Sequence, residues 1–407
     1  QDPTYLGGSL GEAHAETIVR LLGMAGEAGA PVVGFVRSGG ARLQEGHPAL
    51  AGYGRIFRAS VALARRVPQI SVVSGVSAGG GAYAPALTDF VVMTEAARLF
   101  LTGPQIVREA LGEESSMEQL GGPRVHARNG VCQLAVGDEE EAIAATRRLL
   151  GLLPGRIGAP PRRLRPAPTA VLDPAATVPA EPRRTYDVRA VGRALCDGGE
   201  LLELSPRWAP NMVTALARLD GVAVGVVANQ PRALGGVIDA AAAEKAALFV
   251  AACDRLGLPL VVLVDTPGFM PGRRQEEAAV IRHGAALLRA FAAATVPKLT
   301  VVLRKAYGGA AITMNSRDLG ADAVYAWPGA EIGIMAARQA IGIVHRRDLE
   351  AGGENVREEL ADAYAAEQLT AAAAAATGFV DEVIAPAETR ERLAFTLRCA
   401  FPAEGGR

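Results

Sequence analysis

Apolar residues fall along this chain in two alternating rhythms. In the first, Ile18, Leu21, Leu22 and Ala25 recur at the three- and four-residue spacing that lines one helix face, and Gly29 ends the pattern. In the second, Val32 to Val36 and then Ile70 to Val73 form short, nearly continuous apolar runs closed by polar or turn residues. Such runs read as strands buried on both faces of a mostly parallel sheet. The order then returns: a helical period at Ala246, Phe249, Val250 and Cys253, a stop at Gly257, and apolar runs from Leu260 to Val264 and from Leu299 to Leu303. Helix, strand, helix, strand predicts α/β layers with right-handed crossovers and sites at the carboxyl ends of the strands.

The return is a true repeat. Pro3-Thr4-Tyr5-Leu6-Gly7-Gly8 has its counterpart 228 residues on, in Pro231-Arg232-Ala233-Leu234-Gly235-Gly236, and Gly29-Ala30-Pro31-Val32-Val33 likewise matches Gly257-Leu258-Pro259-Leu260-Val261. One residue of drift takes Val67-Pro68 to Val296-Pro297, and in both copies a glycine, Gly79 or Gly308, stands 11 residues beyond that proline. Two domains are therefore expected, over residues 1–153 and 186–407, with 154–185 as an extended linker dense in Pro, Ala and Arg. The second copy carries a leader from Tyr186 to Ala228 with strand-like Leu201 to Leu204 and Val222 to Val227. Nothing ahead of Gln1 matches it, so the first copy is expected to be N-terminally incomplete. The alanine run Ala371 to Ala376 reads as helix filler.

Composition narrows the function classes. The 407 residues, 50% hydrophobic and 21% charged, suit an ordinary globular protein of two or three domains, and the repeat selects two. A net charge of −1, with Lys245, Lys298 and Lys305 the only lysines among 42 basic residues, offers no basic face for nucleic acid. Cys132, Cys196, Cys253 and Cys399 lie far apart with no metal-ligand spacing, which suggests packed, reduced thiols, no bound metal and a cytoplasmic location. No apolar run approaches the ~20 residues of a membrane span.

Candidate chemistry sits at the two glycine turns. Ser77-Ala78-Gly79-Gly80-Gly81-Ala82-Tyr83 and Ala306-Tyr307-Gly308-Gly309-Ala310-Ala311 each follow a buried strand and precede a helix-compatible run. Glycine lets the backbone approach a ligand closely, and successive N–H groups at a helix start can hold an oxyanion. A tight packing turn is the bland alternative, and its recurrence at matching places weighs against it. Gly75-Val76-Ser77-Ala78-Gly79 also matches a nucleophile elbow, with Asp89 and His126 following in hydrolase order. The second copy has Ala306 where Ser77 stands, so the repeat keeps the glycines and discards the nucleophile. Arg42, Gln44 and Glu45, and Arg273 to Glu276 in the other copy, are either ligand anchors or solvated loop charges.

These residues resemble the carboxyltransferase β subunits of biotin-dependent acyl-CoA carboxylases. The matching stretches are Leu6 to Glu12, Gly40-Ala41-Arg42-Leu43-Gln44-Glu45-Gly46, Pro85 to Phe90, Thr102-Gly103-Pro104, Asp265-Thr266-Pro267-Gly268-Phe269, Arg282-His283-Gly284-Ala285, Arg304 to Ala310 and Ala326-Trp327-Pro328. The resemblance covers nearly the whole chain. It implies two tandem crotonase-like (ClpP/crotonase) β-β-α superhelix domains, assembled as a hexamer.

It also implies a reaction. Carboxybiotin, brought by a biotin carboxylase and carrier subunit, releases CO2; the biotin enolate takes the acyl-CoA α-proton, and the thioester enolate attacks CO2. By matching motif, Gly79 and Gly80 would hold the acyl-CoA enolate, and Gly309 and Ala310 the biotin enolate. The resemblance further points to Arg42, Gln44, Tyr83 and Ile312 at the acyl-CoA, with Tyr307 and Gly308 at biotin. Ile312, two places beyond Gly309-Ala310, stands where an aliphatic residue goes with acetyl-CoA and Asp with propionyl-CoA. Departures occur at Gly103-Pro104-Gln105, at Gly121 to His126 and at Gly272 to Glu276, which differ from the family's usual wording and bear on the CoA contacts. A biotin-dependent decarboxylase or transcarboxylase subunit and a serine hydrolase using Ser77 are the competing readings.

Overall fold

The computed structural model describes residues 1–169, 173–181 and 184–401. Contacts divide the chain into two compact units, one of residues 1–161, 204–208 and 255–257, the other of 162–203, 209–254 and 258–407. The proline-rich stretch is not a free extended linker. The Ile157 N–H donates to the Arg66 carbonyl at 2.9 Å within unit 1, and the Leu164 N–H donates to the Gly221 carbonyl at 2.9 Å within unit 2. Main-chain groups that would otherwise hang in solvent are thereby paired, and the division falls after Pro161. Positions 170–172 and 182–183 of the expected linker lie outside the described residues.

Unit 1 is built on a five-stranded sheet. Helix α1 (Glu12–Ala28) precedes β1 (Val32–Ser38), helix α2 (His47–Leu63) leads to β2 (Gln69–Ala78), and the short helix α3 (Gly80–Ala86) leads to β3 (Phe90–Thr94), β4 (Arg98–Phe100) and β5 (Leu134–Val136). The order is β1-β2-β3-β5, with β4 paired to the far end of β2, and all pairs are parallel. Parallel strands need helical crossovers, which is why the helical and strand-like runs alternate in sequence. Val73, Val91, Met93, Leu99 and Cys132 form the core on one face, while Leu10, Ala15, Tyr53 and Ile56 pack around α1 and α2.

Unit 2 repeats this arrangement and adds to it. Strands β6 (Leu201–Leu204), β7 (Met212–Leu219) and β8 (Val222–Asn229) stand beside β9 (Leu260–Thr266), β10 (Lys298–Tyr307), β11 (Ala323–Ala326) and β13 (Glu382–Val383), with β12 (Glu331–Gly333) paired to β10. Strand β9 lies between β8 and β10 and is buried at every residue, whereas β1 pairs with β2 and leaves Phe35 45% exposed. The large core runs from Tyr186 and Val191 through Val226, Leu263 and Val301 to Leu393 and Leu397.

The two units correspond bond by bond. The Arg37 N–H donates to the Gln1 amide oxygen and the Asp265 N–H to the Asn229 amide oxygen, both at 3.3 Å. Leu10 bridges Ala41 as Ile238 bridges Phe269. Glu45 accepts the N–H of Glu12 at the head of α1, at 2.6 Å, and Gln275 accepts the N–H of Ala240 at the head of the helix Ala240–Leu256, at 3.0 Å. The register also slips alike: Val36 faces Val73 but Ser38 faces Ser77, and Val264 faces Val302 but Thr266 faces Ala306. Beyond each slip the second strand still pairs with the first at Ser77 or Ala306, while along its other edge its final residues pair with β4 or β12 in place of β3 or β11.

Candidate active site

Each slipped strand ends on the turn singled out by the sequence. Gly79 has φ +55° and Gly308 φ +57°, a left-handed backbone that a side chain would strain. Gly80 is needed for another reason: a Cβ there would lie 2.6 Å from the ring of Tyr53. That ring is fixed by its hydroxyl, 3.0 Å from the Ser38 hydroxyl at the end of β1.

The N–H inventory shifts the first pair by one residue. The Gly79 N–H donates to the Phe100 carbonyl at 3.1 Å, and the Ala82 N–H donates to the Gly79 carbonyl at 2.9 Å. Gly80 and Gly81 open α3, where first-turn N–H groups have no intrahelical acceptor. Gly79 is thus committed to the sheet, and the open donors are those of Gly80 and Gly81. Their counterparts by position are Gly309 and Ala310, likewise in the first turn of the helix Gly308–Thr313.

Ser77 is no nucleophile in this arrangement. Its side chain is wholly buried, and its hydroxyl donates to the Gly81 carbonyl at 2.8 Å. His126 meets the Leu99 carbonyl through Nε2 at 2.6 Å, while Asp89 accepts the Gln69 N–H at 2.7 Å and pairs with Arg255 at 2.6 Å. Three groups with separate partners do not make a relay.

The second turn opens on a cleft of about 510 Å³ lined by Gly308, Gly309 and Ile312, by Ile332, Gly333 and Ile334 after β10, and by Gln368, Ala373, Ala374, Thr377 and Phe379. Sequence reasoning found Ile312 and missed the opposite wall. A five-residue π-helical turn, Ala365–Leu369, drives Leu369 inward to a point where a Cβ on Gly333 would lie 2.2 Å from its side chain. The alanine run is a helix capped by Thr370, and its small Ala373 and Ala374 leave room in the cleft rather than merely filling a helix. Only tertiary structure brings these segments to the turn.

Other expected site residues divide. Tyr83 is 53% exposed and meets Phe57 edge-on at 6.1 Å, and Gln44 is exposed beside the first strand's end. Arg42 is not an open anchor: it donates to the Ser9 carbonyl at 3.0 Å and to Glu45 at 2.6 Å, and lies 5.5 Å from the centroid of the Tyr5 ring. Tyr307 is buried, its hydroxyl donating to Glu331, and it does not line the cleft. Among the described residues no group of three or more His, Cys, Asp and Glu is placed to hold a metal ion, and no helix is long and apolar enough to cross a membrane.

Comparison with known proteins adds a second line of observation. A family model described as the carboxyl transferase domain matches residues 1–403. The chain is 44% identical over 404 residues to the methylmalonyl-CoA carboxyltransferase 12S subunit of Propionibacterium freudenreichii subsp. shermanii, covering 98% of this chain and 77% of that protein. It is 46% identical over 412 residues to a biotin-dependent acetyl-/propionyl-coenzyme A carboxylase beta6 subunit of Mycobacterium bovis, covering 100% of this chain and 86% of that one. A crystal structure of transcarboxylase 12S, described as a hexamer assembly with methylmalonyl-coenzyme A and methylmalonic acid bound, superposes with a TM-score of 0.94 at 43% identity, covering 98% of this chain and 78% of that one.

Proposed function

Because this chain belongs to the carboxyl transferase domain family, we propose that it moves a carboxyl group from carboxybiotin on a carrier protein to the α-carbon of acetyl- or propionyl-CoA, giving malonyl- or methylmalonyl-CoA. The fold is the two-domain crotonase-like α/β fold of its structural relatives. The observation that carries the reading is the pair of matching turns, each presenting two main-chain N–H groups in the first turn of a helix, where they have no intrahelical acceptor. Acyl-CoA carboxylation places negative charge on oxygen at two sites, the thioester carbonyl and the ring carbonyl of biotin. Preorganised donors aimed at such charge are typically worth about 10²–10³ in rate apiece.

Carboxybiotin, when bound, supplies the CO2 and accepts the α-proton, so this chain need provide no side-chain base. In this assignment the Gly80 and Gly81 N–H groups hold the thioester oxygen, and those of Gly309 and Ala310 hold the ring carbonyl oxygen. Ile312 forms a wall that selects the acyl group by shape. Tyr83 and Gln44 remain exposed for contacts to CoA, while Arg42 acts as a brace of its loop. The partners are a biotin carboxylase and a biotinylated carrier, and the assembly is the hexamer described for the transcarboxylase relative. Buried thiols outside any disulfide at Cys132, Cys196 and Cys253 suit a reducing cytoplasm, and burial pushes the first two up to about 12.

The test is reconstitution. Labelled bicarbonate should enter acid-stable acyl-CoA product only when carboxylase, carrier and ATP are present, and avidin should stop it; bicarbonate-dependent carboxylation by the chain alone would refute the reading. The 12S relative favours one variant, in which the carrier is loaded from another carboxylated CoA ester instead of by an ATP-dependent carboxylase. Carrier loading from methylmalonyl-CoA without ATP would select it.

A further inference from the structure

We propose that Tyr307 and Glu331 form a clamp that positions the second oxyanion turn, a side-chain fastening for which the first turn has no matching residues. The inference rests on the assignment of the two turns given above. Tyr307 is the last residue of β10, directly ahead of Gly308, and Glu331 is the first residue of β12. The strands run parallel with Lys305 opposite Glu331 and Tyr307 opposite Gly333, so the phenol reaches back along the sheet to its acceptor. Neither residue lines the cleft, which makes both positioning residues. Burial and the neighbouring carboxylate push the phenol's proton loss well above its ordinary range and keep it a donor. Glu331 also meets Thr370 in an isolated bridge, and Thr370 caps the alanine helix on the far wall, so one residue ties the turn to both sides of the cleft.

Unit 1 cannot build this clamp. Its register sets Val76 opposite Arg98 and Ala78 opposite Phe100, so Ala78 and Arg98 occupy the places of Tyr307 and Glu331. There the turn is fastened by the Gly79 N–H on the Phe100 carbonyl at 3.1 Å, and in unit 2 Tyr307 pairs with Gly333 at the corresponding place, so the side-chain clamp is a fastening added to the strand pairing. The Ile334 carbonyl lies 3.0 Å from where a Gly308 Cβ would be, so the second turn also presses on the end of β12. Together with the strand pairing, the side-chain clamp sets how the Gly309 and Ala310 N–H groups are aimed, and a misplacement of about 1 Å can cost about 10²-fold in rate.

The test compares Tyr307→Phe, Glu331→Ala and Glu331→Gln in the full chain, assembled with biotin carboxylase and biotinylated carrier. Tyr307→Phe and Glu331→Ala should each lower kcat by about 10–100-fold, with KM for acyl-CoA changed by less than about threefold and no loss of folded protein by circular dichroism. Glu331→Gln keeps an oxygen for the phenol and should restore kcat to within about tenfold of the parent. Undiminished kcat in folded Tyr307→Phe, equal losses in Glu331→Gln and Glu331→Ala, or a loss that only follows unfolding would overturn the clamp. Ala310→Pro separates the two readings, since proline removes the N–H itself. If folded Ala310→Pro still transfers, the turn assignment falls and the clamp with it; if Ala310→Pro is inactive while Tyr307→Phe is normal, the clamp alone falls.

Discussion

Gly79 and Gly308 share one left-handed backbone, φ +55° and +57°, each placed directly after a strand that has slipped against its parallel neighbour. The residues that follow them do not share their surroundings. A Cβ on Gly80 would meet the Tyr53 ring at 2.6 Å, whereas a Cβ on Gly309 would meet nothing within 4 Å. Gly80→Ala should therefore destabilise the protein by about 1–3 kcal/mol through overpacking, and Gly309→Ala by less than about 1 kcal/mol. Denaturant unfolding of the two variants checks this, and equal effects would contradict it.

Ser77→Ala removes a hydroxyl that serves the Gly81 carbonyl from a site without solvent access. The expected cost is about 1 kcal/mol of stability, with carboxyltransfer kept within about tenfold of the parent. Steady-state kinetics on folded protein decide the matter: a loss of several orders of magnitude would restore Ser77 as a nucleophile.

Ile312 is 46% exposed and stands on the cleft wall beside Gly308 and Gly309. Discrimination by one methylene is worth only about 1–3 kcal/mol, so the parent should use acetyl- and propionyl-CoA with kcat/KM values within about two orders of magnitude. Ile312→Asp should change that ratio in a kcat/KM comparison across acetyl-, propionyl- and butyryl-CoA. Unchanged ratios would leave Ile312 as packing only.

Lys245 is buried, with Nζ donating to the Met212 carbonyl at 2.7 Å, and desolvation brings it down to about 8. Its unfolded value is higher, so between about 8 and about 10.5 the unfolded chain binds the extra proton and stability gains from rising pH. Chemical denaturation of the parent and Lys245→Met across that window should show a smaller pH slope in the variant. Identical slopes would mean that the lysine keeps its ordinary affinity for protons in the fold.

The strands β1, β2, β9 and β10 were legible because parallel burial writes continuous apolar runs, and the turns because glycine stood at the two places where φ is positive. The strand β7, Met212–Leu219, was not: its alternation of Val, Thr, Ala, Leu and Arg has no distinct signature until β8 pairs with it antiparallel. Three-residue β4 and β12 exist through pairing with the last residues of β2 and β10 and carry no local signal. The far wall of the cleft, from Gln368 to Phe379, depends on a π-helical turn that periodicity does not encode. The one-residue shift of the donor pair, from Gly79 and Gly80 to Gly80 and Gly81, depends on the bond from the Gly79 N–H, which needs Phe100 in place.

The clasps at the heads of α1 and of the helix Ala240–Leu256 share a geometry and differ in chemistry, since Glu45 serves one and the amide of Gln275 the other. The Glu12 N–H it accepts, followed by Arg42, holds the Glu45 carboxyl below its usual range, so its grip is present above the ordinary carboxylate value and released as pH falls through the lowered one. Gln275 has no proton to gain. Acid should loosen α1 and spare its twin, which hydrogen exchange along the two helices would register. Duplication has thus left one protein with an acid-labile and an acid-indifferent edition of the same joint.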